Sequence, residues 1–284
     1  MRSILAAFVI AGVSLQLFAV DLDTIRSFQP SWKVSDAGVD FKTVDGSLLM
    51  EGETPNGEPF RAVFDTGAPF ALVYNSSLKK FEHEYLGVVA DVTLPSLKDG
   101  RIQTVSAKLY LLHGVQFSGT GGDLVAFGMD GGITVNDQVC DLLVGISQFS
   151  NSSFSLDFSE GKLLPGAEKN REIYWVNMFK NPENVPTVLG RSEQKLFPVV
   201  IDTGSPISLR GFPDPIHEHS DEPEDVIFDS LQIAGIKVSY IHGKIVSDPE
   251  GKSMLGIDFL KGYDWTIDIP NQRVGMCIDG LRRE

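Results

Sequence analysis

The sequence predicts an all-β protein made of two copies of one unit. Three observations predict it. Short strand-like runs broken by turn residues fill the chain after its first twenty positions, and long stretches of helical periodicity are missing. The tripeptide Asp-Thr-Gly occurs twice, as Asp65-Thr66-Gly67 and Asp202-Thr203-Gly204, each behind an apolar run and ahead of a small residue and a proline. A second signature follows each, Leu142-Leu143-Val144-Gly145 and Met254-Leu255-Gly256, and in both cases an aspartate (Asp157, Asp268) stands 12 positions beyond the glycine. A shared register over that length reads as a duplication.

The first twenty residues stand apart. Arg2, an apolar stretch from Ile4 to Phe18 and the acids Asp21 and Asp23 have the order of an export signal. The stretch is short for a membrane span, which needs about twenty residues. Ala19 suits the last position before cleavage, although Leu17 stands where a small residue is preferred. The expected product is a secreted or periplasmic chain starting near Val20 or Asp21, with an uncleaved anchor as the alternative. The expected divisions are 1–20 (signal), 21–164 (first copy), 165–186 (join, interrupted by Pro165, Gly166, Pro182 and Pro186) and 187–284 (second copy).

Alternation marks strands at Ser47-Leu48-Leu49-Met50-Glu51 and Lys108-Leu109-Tyr110-Leu111, and β-rich runs lie at 197–201, 230–233, 237–241 and 263–269. Short helices are expected at 75–81, 142–149 and 254–261. Asp65 to Gly145 spans 80 positions and Asp202 to Gly256 spans 54, so the first copy is longer by about 26 residues. The glycines at 119, 121, 122, 128, 131 and 132 mark the expected insertion, a surface loop.

Charge and cysteines narrow the options. A formal charge of −14 argues against nucleic acid and anionic membrane as partners. Cys140 and Cys277 leave two alternatives, one disulfide or two buried thiols, and have no metal-binding spacing. His217 and His219 sit in a loop of prolines and acids that solvation explains as well as a metal does. Asn75 and Asn151 are glycosylation acceptors only in a glycosylating host. Tyr174, Trp175 and Phe179 are expected to pack between the copies.

Asp65 and Asp202 are the candidate catalytic pair. Two carboxyls about 3 Å apart cannot both ionise cheaply, so they share a proton and titrate as a unit. The ionised one takes a proton from water and the protonated one donates to a carbonyl. Neither metal nor cofactor is needed. Thr66 and Thr203 offer hydroxyls to lock the two turns across a pseudo-two-fold axis. Gly67 and Gly204 permit the turns and leave N–H groups for the carboxylates. Ser205 adds a hydroxyl beside Asp202, where Ala68 offers none beside Asp65. Asp157 and Asp268 are read as strand-closing residues, and Asp258 has only Ser147 as its counterpart.

The segments Phe64-Asp65-Thr66-Gly67-Ala68 and Leu255-Gly256-Ile257-Asp258-Phe259-Leu260 resemble the two signatures of retropepsin-like aspartic proteases. The run from Asn56 to Phe64 resembles the family's hairpin into the active turn. The resemblance covers most of 45–160 and 187–278. Two copies in one chain are similar to the bilobal pepsin arrangement. It implies a bilobal acid-protease fold of two retropepsin-like β-barrel lobes, and an intramolecular pseudo-dimer in a monomeric chain. It also implies endopeptidase activity on protein or peptide substrates, with Asp65 and Asp202 as the dyad. A catalytically degenerate, peptide-binding relative is the alternative. The implied flap falls within 85–101 or 227–240. A removable pro-segment at 21–45 is disfavoured, being short and acidic.

Overall fold

The computed structural model describes residues 25, 27–95, 102–167, 172–179, 184–191, 196–206, 224–228, 231–233, 236–238, 241–245 and 253–277. The expected signal at 1–20 and the loop with His217 and His219 lie outside them. The described chain is mostly β-strand, with single turns of helix at Leu78–Lys80, Ile146–Phe149 and Ile257–Leu260. These turns fall within the three segments expected to be helical. Leu142–Gly145 and Met254-Leu255, read as parts of helices, lie in strands, the latter in Ser253–Leu255. A short apolar run has no period of its own, and its neighbours decide its conformation.

The first copy is organised around a slot. The strand Pro59–Asp65 leads into the Asp-Thr-Gly turn and the strand Ala71–Tyr74 leads away. The two do not pair. Leu142–Gly145 lies between them, parallel to the first with Leu143 opposite Val63 and Gly145 opposite Asp65, and antiparallel to the second with Leu142 opposite Val73. The second copy repeats the parallel pairing, with Ser253–Leu255 beside Leu196–Ile201 and Leu255 opposite Ile201. Strands so enclosed are apolar on both faces. Ala62, Phe64, Leu142 and Val144 point into one buried cluster, while Val63 and Leu143 point into the other.

A thirteen-stranded sheet crosses from one copy to the other. Its bridge is the antiparallel pair Ser153–Asp157 and Trp265–Asp268, with Ser155 opposite Thr266. Their hydroxyls meet at 2.7 Å. Each stands ten positions beyond its signature glycine, Gly145 or Gly256, so equivalent residues face each other across a local two-fold axis. Val39–Val44 is an inner strand of this sheet, paired to Lys162–Pro165 and to Ser47–Glu53. A removable segment reaching to residue 45 would therefore strip the sheet. Within the predicted join, Ile173–Asn177 adds a strand against Arg273–Cys277.

The stretch expected to be a glycine loop is mostly strand, although Gly131 and Gly132 do lie in irregular chain between Thr120–Met129 and Thr134–Val135. His83–Pro95, Ile102–Phe117 and Thr120–Met129 form a long antiparallel array. Ser118 and Gly119 make its two-residue turn at φ 47° and 83°, the left-handed geometry that suits a tight hairpin. Gly128 lies in a strand, where the Tyr110 ring occupies the place of its missing side chain. Glycine marked these positions as loop because the sequence does not separate a turn or a ring-covered strand site from an open loop. No disulfide joins Cys140 and Cys277, both buried thiols. Cys140 lies in the apolar cluster of the first copy, while Cys277 ends the last strand of the shared sheet.

Candidate active site

The two Asp-Thr-Gly turns meet. The Thr66 N–H donates to Thr203 Oγ1 at 2.9 Å, and the Thr203 N–H donates to Thr66 Oγ1 at 3.1 Å. Each hydroxyl then donates onward to the carbonyl that precedes the opposite aspartate. Thr66 Oγ1 reaches Ile201 O at 2.6 Å, and Thr203 Oγ1 reaches Phe64 O at 2.8 Å. These four bonds, all buried, span 135 to 139 positions of sequence. They tie the end of one central strand to the end of the other.

The carboxyl groups face each other across this knot. Asp65 Oδ1 accepts the N–H groups of Gly67 at 2.9 Å and Ala68 at 3.1 Å. Asp202 Oδ1 accepts the Gly204 N–H at 2.8 Å. The contact is close enough to require both glycines. A Cβ on Gly67 would stand 2.6 Å from the Asp202 carboxyl carbon, and one on Gly204 would stand 2.3 Å from that of Asp65. Both aspartates are 0% exposed. Burial holds the Asp65 carboxyl well above the usual carboxylate range. The adjacent Asp202 charge pushes the same way, as does the hydrogen bond between the two acids, while the Gly67 and Ala68 N–H groups pull the other way.

The two turns repeat each other in detail. The Ile146 N–H donates to Ala68 O at 2.9 Å and the Ile257 N–H to Ser205 O at 2.7 Å. Gly145 fits because Phe70 O and Ala68 O would lie 2.4 and 2.7 Å from any Cβ there. Ser205 and Ala68 break the symmetry, as their identities predict. Ser205 Oγ is buried with no hydrogen-bond partner among the described residues.

Other candidates sort into supporting roles. Asp157 caps its turn through Ser159 N–H and Oγ–H and Glu160 N–H, at 2.5–2.9 Å. Asp268 binds Asn271 and the Arg273 Nε, the latter at 2.7 Å. Asp258 pairs with Lys261 on the surface. Trp175 stacks on the Arg273 guanidinium at 4.1 Å, a packing contact between the join and the second copy. Tyr174 and Phe179, expected to pack between the copies, are exposed, Tyr174 on an edge strand of the sheet and Phe179 two residues beyond its end. The 85–101 flap candidate is the outermost hairpin of the first copy, its tip at 96–101 lying outside the described residues. The 227–240 candidate contains the short hairpin of Leu231–Ile233 and Ile236–Val238.

Asp141 escaped the sequence reading. It is buried and binds Ser77 Oγ at 2.6 Å, the Arg61 N–H at 3.0 Å and Lys80 Nζ at 2.9 Å. Only its place beside an apolar strand, next to Cys140, hinted at a buried acid. Asp141 lines a groove of about 1030 Å³ with Glu51, Glu53, Arg61 and Lys80. Arg61 is four residues up its strand from Asp65, or roughly 13 Å at the rise of a β-strand, so this groove is separate from the dyad. The Cys140 thiol is pushed up to about 11 by burial and then by Asp141. It is thus an inert core thiol.

A scan against protein-family models finds no match for this chain, and a search of curated proteins finds none either.

Proposed function

We propose that this chain is an exported aspartic endopeptidase, a bilobal acid-protease fold in which Asp65 and Asp202 activate water against a peptide bond. The observation that carries the reading is the face-to-face burial of the two carboxyl groups, locked by Thr66 and Thr203. Such a pair holds one proton between two acids. The ionised member removes a proton from water as its oxygen attacks the scissile carbonyl carbon. The protonated member donates to the carbonyl oxygen, giving a neutral tetrahedral diol. In the collapse the acid that took the water's proton gives a proton to the leaving nitrogen as the carbon–nitrogen bond breaks, and the other acid takes a proton from a diol hydroxyl as the new carboxyl group forms, which regenerates the shared-proton pair. The loop N–H groups of Gly67, Ala68 and Gly204 fix the inner oxygens, and Thr66 and Thr203 fix the turns, so the acids need little reorganisation. The chemistry calls for no cofactor.

The proton count sets the pH profile. The raised Asp65 pKa keeps the pair singly protonated to higher pH than two isolated aspartates would allow. Activity therefore falls on the alkaline side as the shared proton leaves, and on the acid side as both acids become protonated. The test is digestion of a peptide pool from acid to neutral pH by the parent chain, Asp65→Asn and Asp202→Asn. Products are expected from the parent alone; cleavage that survives either substitution would falsify the dyad.

A second reading is a relative that binds peptide without cleaving it. The complete burial of both acids favours it. It predicts saturable peptide capture with no products, and turnover by the parent would remove it.

A further inference from the structure

Ile173–Asn177 ends the thirteen-stranded sheet, with a neighbour on one side only, Arg273–Cys277. In the first copy the strand in the equivalent place is Val39–Val44. Each pairs with the strand that follows a bridge strand, Lys162–Pro165 after Ser153–Asp157 or Arg273–Cys277 after Trp265–Asp268. Val39–Val44 has a second neighbour, Ser47–Glu53. One copy therefore encloses this strand and the other leaves its counterpart open.

The hydrogen bonds show which groups face outward. The Met178 N–H donates to Gln272 O at 2.8 Å, so the bonded pairs in step with it are Val176 with Val274 and Tyr174 with Met276. The N–H and C=O groups of Ile173, Trp175 and Asn177 point the other way, and they have no hydrogen-bond partner among the described residues. The Phe179 N–H, next in that series, donates to Thr187 O at 2.8 Å, which ends the open stretch. Side chains do not shield it. Ile173 and the Trp175 ring lie over Gly275, back from the edge, and the Arg273 guanidinium stacks on Trp175 at 4.1 Å. Sheets normally blunt an exposed edge with charge, proline or a bulge. Ile-Tyr-Trp-Val-Asn has neither charge nor proline, and its register with Arg273–Cys277 runs unbroken. The opposite edge of the sheet, His83–Pro95, is bulged between Tyr85 and Val89.

We propose that this edge pairs with the same edge of a second copy of the chain, extending the sheet through a two-fold axis at Trp175. The match is self-complementary. Antiparallel pairing about Trp175 sets it opposite the partner's Trp175, and sets Ile173 opposite the partner's Asn177. Each outward group then meets an outward group, and every facing pair exchanges two bonds. On the other face Tyr174, 41% exposed, meets the partner's Val176, an aromatic–β-branched pair of the kind that stabilises sheets. The interface continues one already in the same sheet, where Ser153–Asp157 and Trp265–Asp268 join the two copies by antiparallel pairing about a local two-fold axis. Five residues a side bury less than the ~1,000 Å² of a stable complex, so the dimer is reversible and forms as concentration rises. The formal charge of −14 on each copy repels, but at physiological ionic strength the Debye length of about 8 Å screens most of it. This dimer departs from the monomer that the family resemblance implies, and it is independent of what the dyad does.

Sedimentation velocity at rising protein concentration should show the purified chain passing from monomer to dimer. Tyr174→Lys sets a charge in the pairing face and leaves the bonds to Arg273–Cys277 intact. It should raise the dissociation constant about tenfold, because the two-fold axis doubles each loss. Asn177→Pro removes only an N–H that faces outward, and should also weaken the dimer. The double variant Ile173→Cys/Asn177→Cys tests the register: its thiols face each other across the axis, so oxidised glutathione should join two chains by a disulfide. Neither single cysteine variant should cross-link. Far-UV circular dichroism checks the fold of each variant; should one substitution unfold the chain, the other and the cross-link decide. A chain that stays monomeric at every concentration overturns the proposal and leaves the edge to a strand of another protein. A dimer that neither substitution weakens, or one that either single cysteine variant cross-links, uses another surface or register and overturns it as well.

Discussion

Thr66→Val tests the knot that holds the two copies together. Valine keeps the shape of threonine and removes one oxygen. That oxygen accepts the Thr203 N–H at 3.1 Å and donates to Ile201 O at 2.6 Å. Both partners are buried, so the substitution orphans one donor and one acceptor. Each orphan costs about 1–3 kcal/mol, which sums to about 2–6 kcal/mol for the pair. A typical domain has only about 5–15 kcal/mol of stability in total. Thr66→Ser is the control. It keeps both hydrogen bonds and loses one methyl group, a cost of about 1 kcal/mol. Guanidinium unfolding followed by far-UV circular dichroism measures both variants. Thr203→Val should match Thr66→Val, because Thr203 Oγ1 makes the mirror pair of bonds. In a double-mutant cycle the two should couple by about 0.5–3 kcal/mol, since they share one network. If Thr66→Val is no less stable than Thr66→Ser, the four bonds do not hold the turns and the argument fails.

Two further outcomes follow from the same geometry. Gly204→Ala places a Cβ 2.3 Å from the Asp65 carboxyl carbon, so the turns must separate. It should cost at least the ~1–3 kcal/mol of an overpacked core and abolish any peptide cleavage, and thermal unfolding together with the peptide digest measures both. Asp65→Asn should change the pH dependence of stability. The folded pKa of Asp65 is raised, so the wild-type contribution is fully present below the unfolded value near 3.8 and is lost as pH rises through the folded value. Asparagine cannot ionise, so Asp65→Asn should gain in melting temperature over the parent as pH rises above 3.8, with no gain below it. An equal shift at every pH would contradict this.

The lesson about legibility lies in particular residues. Asp65, Thr66 and Gly67, and their partners at 202–204, were legible because the pattern is local and repeated. An apolar strand, a turn that requires glycine and a carboxylate flanked by N–H donors all sit within eight residues. Asp157 and Asp268 were legible as turn residues for the same reason. The 142–145 strand was half legible: its glycine marked it, but its conformation depends on a slot made 69 to 80 residues earlier. The glycines from 119 to 128 misled, because the partners that make them strand or turn are distant in sequence, whereas Gly131 and Gly132 do lie in irregular chain. Nothing in the order of residues gave the Ser155–Thr266 contact or the cradle of Asp141.

By itself the sequence determined the strand content, the duplication and the residues of the pair, since alternation, turn chemistry and spacing are properties of neighbouring positions. Only the tertiary structure decided that the two turns interlock, that one sheet joins both copies and that the acids lie fully buried against each other. Those outcomes depend on hydrogen bonds between groups as many as 139 positions apart and on burial by residues from the whole chain, which no local pattern encodes.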